Sequence, residues 1–235
     1  MLPRRFSWLA ATVLALAACT STPTVQRGPE AEVTFDGLTR VDNTAFNAVW
    51  VRSGADLDGY DKVMLQSAGL EFRDVGNAPV SGSVSSRTRR SSDSEFRISE
   101  EDQERLRKTV GEAFRIALSG SDRFELVDEP GPGVLLVRGA LMDVVSNVPP
   151  EPIGRGRIFL DRVGEATLVI EIRDAQTKQI YVRAVDRRAA ERQGQQLIQA
   201  NSVSTWAEVR RLANRWANQL RRGLDELLTL ETIPD

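Results

Sequence analysis

Between Val163 and Arg187 the chain alternates. Ala166, Leu168, Ile170 and Ile172 alternate with mostly polar neighbours, and Ile180, Val182 and Ala184 repeat the pattern after a short polar connection from Asp174 to Gln179. Successive strand side chains point to opposite faces, so each segment presents one apolar and one polar side. Joined this closely, the two make an antiparallel hairpin. A sheet built on such a hairpin is stable only if its apolar face is covered, and the cover has to come from the same chain.

Two segments supply it. Leu106, Val110, Ala113, Phe114, Ala117 and Leu118 recur at helical spacing after Ser99-Glu100-Glu101-Asp102, where the serine can cap the first turn and the acids complement the positive helix end. Gly120 is a natural stop for this helix. From about Thr205 to Leu228, Trp206, Val209, Ala213, Trp216, Leu220, Leu224 and Leu227 form a second stripe, with Thr205 and Glu208 spaced as a capping box. Further strands are expected at Lys62 to Phe72, Phe124 to Val127 and Val134 to about Asn147. In the first of these the apolar parity switches between Ser67 and Gly69, which one extra residue in a bulge would explain. The fold class is therefore α+β: a largely antiparallel, mixed sheet of about four or five strands with both helices on one face.

The remaining stretches lack a period. Val33 to Tyr60 mixes Phe35, Leu38, Phe46, Trp50 and Val51 with Asp-Gly and Ser-Gly steps and is expected to pack irregularly onto the domain. Gly76 to Phe96, rich in Ser, Gly and Arg, reads as a long loop. Thr20 to about Glu32 reads as a flexible tether whose r.m.s. length would be about 20 Å.

The beginning of the chain has the layout of an export signal. Arg4 and Arg5 precede an uncharged, mostly apolar stretch from Phe6 to Ala18, too short to span the ~30 Å core of a bilayer as a helix. It ends in Leu16-Ala17-Ala18-Cys19, which resembles the lipobox of bacterial lipoproteins. That resemblance implies cleavage between Ala18 and Cys19, a covalent diacylglycerol on the cysteine sulfur and an N-acyl chain on the new terminus. Several long chains make attachment effectively permanent. Thr20 follows the cysteine where an aspartate would resemble an inner-membrane retention signal, so the expected place is the periplasmic face of a Gram-negative outer membrane. The expected division is signal 1–18, lipidated cysteine and tether 19–34, and one domain over 35–235.

Composition narrows the chemistry. The chain has no histidine and one cysteine, Cys19, so the side chains that most often transfer protons, attack as thiols or bind zinc are missing from the folded part. The formal charge is -2 and falls by two more when Arg4 and Arg5 leave with the signal, which argues against nucleic acid as a partner. Asp56, Asp58 and Asp61 surround Gly59 without the order of a calcium loop and are expected to cap a turn. Arg87, Arg89 and Arg90 read as a solvated loop, and Arg210, Arg211, Arg215, Arg221 and Arg222 as a solvated helix face. The loop carrying Arg155, Arg157, Ile158, Phe159 and Leu160 is the candidate partner-binding segment, because long loops often present contact surfaces.

Several pieces also resemble a group of bacterial envelope lipoproteins catalogued as domain of unknown function 3313. They are Asp36-Gly37-Leu38, the run from Val51 to Val63, the Pro130-Gly131-Pro132 turn, the strand from Gly164 to Asp174, and the helix bearing Trp206 and Trp216-Ala217. Ser53 stands where that group would have a proline. The resemblance implies an envelope lipoprotein and supplies neither a reaction nor a ligand. The functional expectation is a non-enzymatic lipoprotein, without metal or cofactor beyond its acyl chains, that binds an envelope protein or the cell wall. The alternatives are a carrier or sensor of an apolar ligand held between the last helix and the sheet, and an envelope hydrolase.

Overall fold

The computed structural model describes residues 22–80, 84–85, 94–149, 151–152, 157–192, 194 and 196–234. Its elements in chain order are β1 (Thr24–Val25), β2 (Thr39–Asp42), β3 (Ala48–Val51), β4 (Lys62–Phe72), β5 (Val84–Ser85) and α1 (Glu100–Leu118). There follow β6 (Glu125–Val127), β7 (Val134–Ser146), β8 (Glu151–Pro152), β9 (Phe159–Leu160), β10 (Arg162–Asp174), β11 (Ile180–Glu191), β12 (Ile198–Gln199) and α2 (Ser202–Leu227). Eight strands form one sheet in the order β1-β2-β3-β11-β10-β7-β4-β6, and β12-β9 and β5-β8 are separate two-stranded pairs.

The hairpin is its centre. Residues of β10 and β11 pair antiparallel from Arg162 with Glu191 to Arg173 with Ile180, and β7 pairs antiparallel along the other side of β10. The parallel component is β4, which runs alongside both β7 and β6. Its register slips between Ser67 and Gly69, so the bulge expected from the parity switch is present. Gly69 has φ +117°, a value that L side chains rarely adopt.

The sheet is larger than the four or five strands expected. The stretch read as irregular holds β2 and β3, which pair with each other and then with β11, and β1 lies in the stretch read as a tether. Strands of two to four residues are too short for alternation to stand out in the sequence.

Both helices cover one face, as the patterns required. Ala113, Phe114 and Leu118 of α1 and Leu212, Ala213, Trp216, Leu220 and Leu224 of α2 share a core with Val63, Val137, Leu141, Leu168, Ile170 and Val182 of the sheet. Ser99 caps α1, its hydroxyl accepting from Asp102 N at 3.1 Å. The capping box expected at Thr205 is a correction: α2 starts a turn earlier, with Asn201 Oδ1 accepting from Ser204 N at 3.0 Å. Glu208 does not reach back to that end. Its carboxylate is buried and pairs with Arg192 Nε at 3.2 Å and with Arg211.

A second buried carboxylate ties α2 to the hairpin. Asp186 of β11 has no exposed side-chain surface and accepts from Trp216 Nε1 at 2.7 Å, Asn47 N at 3.0 Å and Arg188. On its far side the turn before β7 is closed by Gly133, which has φ +70° and a backbone so near Gly59 that a Cβ would lie 2.6 Å from its carbonyl oxygen.

Candidate functional site

The sheet face opposite the helices is the candidate site, and the hairpin alternation dictates its chemistry. With Leu168, Ile170 and Ile172 turned to the core, Thr167, Val169, Glu171 and Arg173 turn outward, and Arg183 and Arg187 of β11 do the same. Register then builds a row that no single strand reveals. Gln66 lies opposite Arg138, Arg138 opposite Glu171, Glu171 opposite Arg183, Arg183 opposite Trp50, and Trp50 opposite Arg40. At ~4.8 Å per strand, Arg138 and Arg40 stand about 19 Å apart.

The row is fixed by its own contacts. Arg183 grips Asp36 with both terminal nitrogens, at 3.1 and 2.8 Å, while its Nε and one terminal nitrogen donate to Glu171 at 3.1 and 3.0 Å. Arg173 completes the group on Glu171 from the next position along β10. The Arg183 and Thr34 hydrogen bonds hold the Asp36 carboxyl down to about 2. Burial pushes Glu171 up, but its bonds to Arg173 and Arg183 outweigh this and leave it below its ordinary value. Arg40 lies 4.9 Å from the centre of the Trp50 ring and donates to Asn47 O, while Trp50 Nε1 donates to Glu32 at 2.9 Å. Arg138 is exposed and has no ion-pair partner among the described residues. From Arg138 to Arg40 the row is thus flanked by two guanidinium groups that pair with no carboxylate among the described residues, one of them beside an indole.

A second charged group sits at one corner of the same face. Arg73 donates to both oxygens of Asp143, at 2.7 and 2.6 Å, and to Glu165 at 3.0 Å, and also pairs with Glu95. Arg187 bridges Asp143 and Glu165 at 2.5 Å each. The Arg73 bond, with that of Arg187, holds Asp143 well below the usual carboxylate range. At the opposite end Tyr60 donates to Asp174 at 2.7 Å and meets Tyr181 edge-on, and burial pushes its phenol pKa up.

The residues singled out from the sequence are not brought together. Ala18, Cys19 and Arg155 lie outside the described residues, as do Arg87, Arg89 and Arg90. Arg157 is exposed, Ile158 is half-buried against the core, Phe159 is 53% exposed and Leu160 is core. Leu160 faces inward because β9 pairs with β12, setting Leu160 opposite the fully buried Ile198. Asp56 caps its turn, accepting from Asp58 N at 2.9 Å. Of the arginines read as a solvated helix face, Arg211 pairs with Glu208 and Arg221 with Asp225.

Between α1, α2 and the sheet lies an apolar crevice of about 110 Å³, lined by Leu106, Val110, Val163, Trp206 and Val209 among others. Thr205 Oγ1 also lines it and has no hydrogen-bond partner among the described residues. Ligand pockets run to about 300–1,000 Å³, so the space suits a few carbon atoms rather than a whole lipid. Among the described residues no group of histidine, cysteine, aspartate or glutamate is placed to hold a metal, and no helix is long and apolar enough to cross a membrane.

Helices on one side of a mixed sheet and a charged, side-chain-lined face on the other define an α+β domain with a broad open surface. Residues 31–220 match the family described as protein of unknown function (DUF3313), and the chain belongs to that family. No curated relative matches it. Among solved structures it is similar to protein XCC0632 from Xanthomonas campestris, of family DUF330, at 8% identity and a TM-score of 0.40, over 76% of this chain and 93% of that one. It is also similar to the PelC dodecamer from Paraburkholderia phytofirmans, at 12% identity and a TM-score of 0.32, over 74% and 96%. A putative neuraminyllactose-binding hemagglutinin homolog from Helicobacter pylori is 10% identical with a TM-score of 0.32, over 74% and 85%.

Proposed function

We propose that this protein is a non-enzymatic lipoprotein, anchored through acylated Cys19 to the periplasmic face of the outer membrane, whose open sheet face binds another envelope component. The carrying observation is the cross-strand row from Arg138 to Arg40. Ion pairs hold its middle rigid, so little side-chain entropy is lost on contact there, and the guanidinium groups of Arg138 and Arg40, which pair with no carboxylate among the described residues, suit a partner bearing carboxylates. An envelope protein or a cell-wall polymer meets that description. The lipobox at Leu16 to Cys19 supports the anchor.

The test is crosslinking in cells followed by purification of the protein. One envelope component should be enriched with the native chain and lost with Cys19→Ala, and lost again when Arg138 and Arg40 are both changed to glutamate in the anchored protein. Equal recovery from the doubly substituted, folded protein overturns the assignment of the face. Equal recovery from Cys19→Ala removes the need for an anchor.

A further inference from the structure

All the strands share two ends, and register says which end the chain leaves from. Thr24 pairs with Asp42, at the end of β2 that lies beside Ala48, and Ala48 pairs with Val185 of β11. β1 therefore begins on the side toward which β11 finishes and where α1 and α2 begin. From Val185, β11 continues to Glu191, six residues or about 20 Å further at ~3.3 Å per residue. Cys19 is five residues before Thr24, a span of at most about 17 Å at ~3.5 Å per residue. A lipid on Cys19 thus cannot hold this end of the domain far from the bilayer.

That end carries exposed apolar side chains. In the β9–β12 ribbon, Leu160 and Ile198 face the core, so Phe159 projects from the other side and is 53% exposed, and Leu197, just before β12, is 56% exposed. Val203, in the first turn of α2, is 79% exposed, and Ser204 next to it ties that turn to Gln199 of the ribbon. Arg157 is exposed two residues before Phe159. We propose that the ribbon and helix end bearing Phe159, Leu197 and Val203 is a membrane-facing surface that inserts these side chains among the headgroups of the bilayer holding Cys19. The proposal rests on the anchor reading. Three side chains are too few to bind a membrane alone, but a short tether makes the contact intramolecular and raises the effective concentration of lipid at the surface. Arg157 matches anionic headgroups in charge, against the acids Glu100 and Glu101 in the first turn of α1 at the same end.

The experiment uses the acylated full chain, purified from a Gram-negative host and placed in phosphatidylethanolamine–phosphatidylglycerol vesicles. Acylation consumes the one native thiol, so a dye can be directed to a single introduced cysteine: Phe159→Cys, Val203→Cys, or, as the control, Ile116→Cys toward the other end of α1, 74% exposed. Lipids brominated on their acyl chains should remove at least half the emission of dye at 159 and at 203 and leave dye at 116 unchanged, while aqueous iodide should give the reverse order. If the acylated protein floats with the vesicles but all three dyes answer alike to iodide and none to brominated lipid, this surface is wrong and the anchor stands. If mass spectrometry finds Cys19 unacylated and the protein stays off the vesicles, the anchor fails and the membrane surface fails with it.

Discussion

Changing Trp216 to phenylalanine takes one hydrogen-bond donor from a carboxylate that water cannot reach. Asp186 is wholly buried and accepts from Trp216 Nε1 at 2.7 Å, from Asn47 N and from Arg188. A hydrogen bond to a charged group contributes about 1.5–3 kcal/mol. The phenyl ring also leaves part of the indole space empty, and a void of roughly 40 Å³ costs about 1 kcal/mol at ~24 cal/mol per Å³. The expected loss is about 3 kcal/mol, which in a domain of this size lowers Tm by roughly 6–12 °C. Urea unfolding of the mature chain, followed by far-ultraviolet circular dichroism because a fluorophore is lost, measures it. Combining the change with Asp186→Ala separates the two contributions. The reasoning requires a coupling of about 1–2 kcal/mol between the substitutions. Simple additivity, or a single-mutant loss under about 0.5 kcal/mol, would refute the account of Asp186 as the pin between hairpin and helix.

Three further outcomes are expected. Asp36 sits at about 2 against an ordinary 3.8, so its contribution is full above pH 4 and disappears as the pH falls toward 2. Acid titration of Tm should show this as a loss of about 1 kcal/mol over that window, and Arg183→Gln should flatten it. Gly133→Ala has to place a methyl group 2.6 Å from Gly59 O at φ +70°, so it should cost about 2 kcal/mol or more and lower the urea midpoint, whereas a neutral result would mean the turn is loose. Ser99→Ala should cost about 1 kcal/mol through loss of the α1 cap, with Ser99→Asp restoring most of it in the same melt.

The helix-covered half of the molecule was legible because its signals are long. The hairpin, the bulge between Ser67 and Gly69 and the two apolar stripes each extend over enough residues for a period to emerge. β2 and β3 were not, since Thr39–Asp42 and Ala48–Val51 hold four residues each and their pairing with β11 is long-range. Glu208 was misread for a different reason. A Thr-x-x-Glu spacing is the same whether the glutamate caps the helix or is drawn inside by Arg192, whose approach depends on where β11 ends. The open-face row was half visible: the outward parity of Glu171, Arg173, Arg183 and Arg187 could be counted along each strand, but Trp50 and Arg138 join them through register alone.

The two margins of the sheet are stubs, β1 with two residues and β6 with three. β6 covers only Lys62 to Met64 of β4, however, so the β4 rim from Leu65 to Phe72 has no strand beside it among the described residues, and what interrupts that rim is the bulge at Ser67 to Gly69. A strand added there would have to follow that kink, whereas a partner met by side chains from above would not.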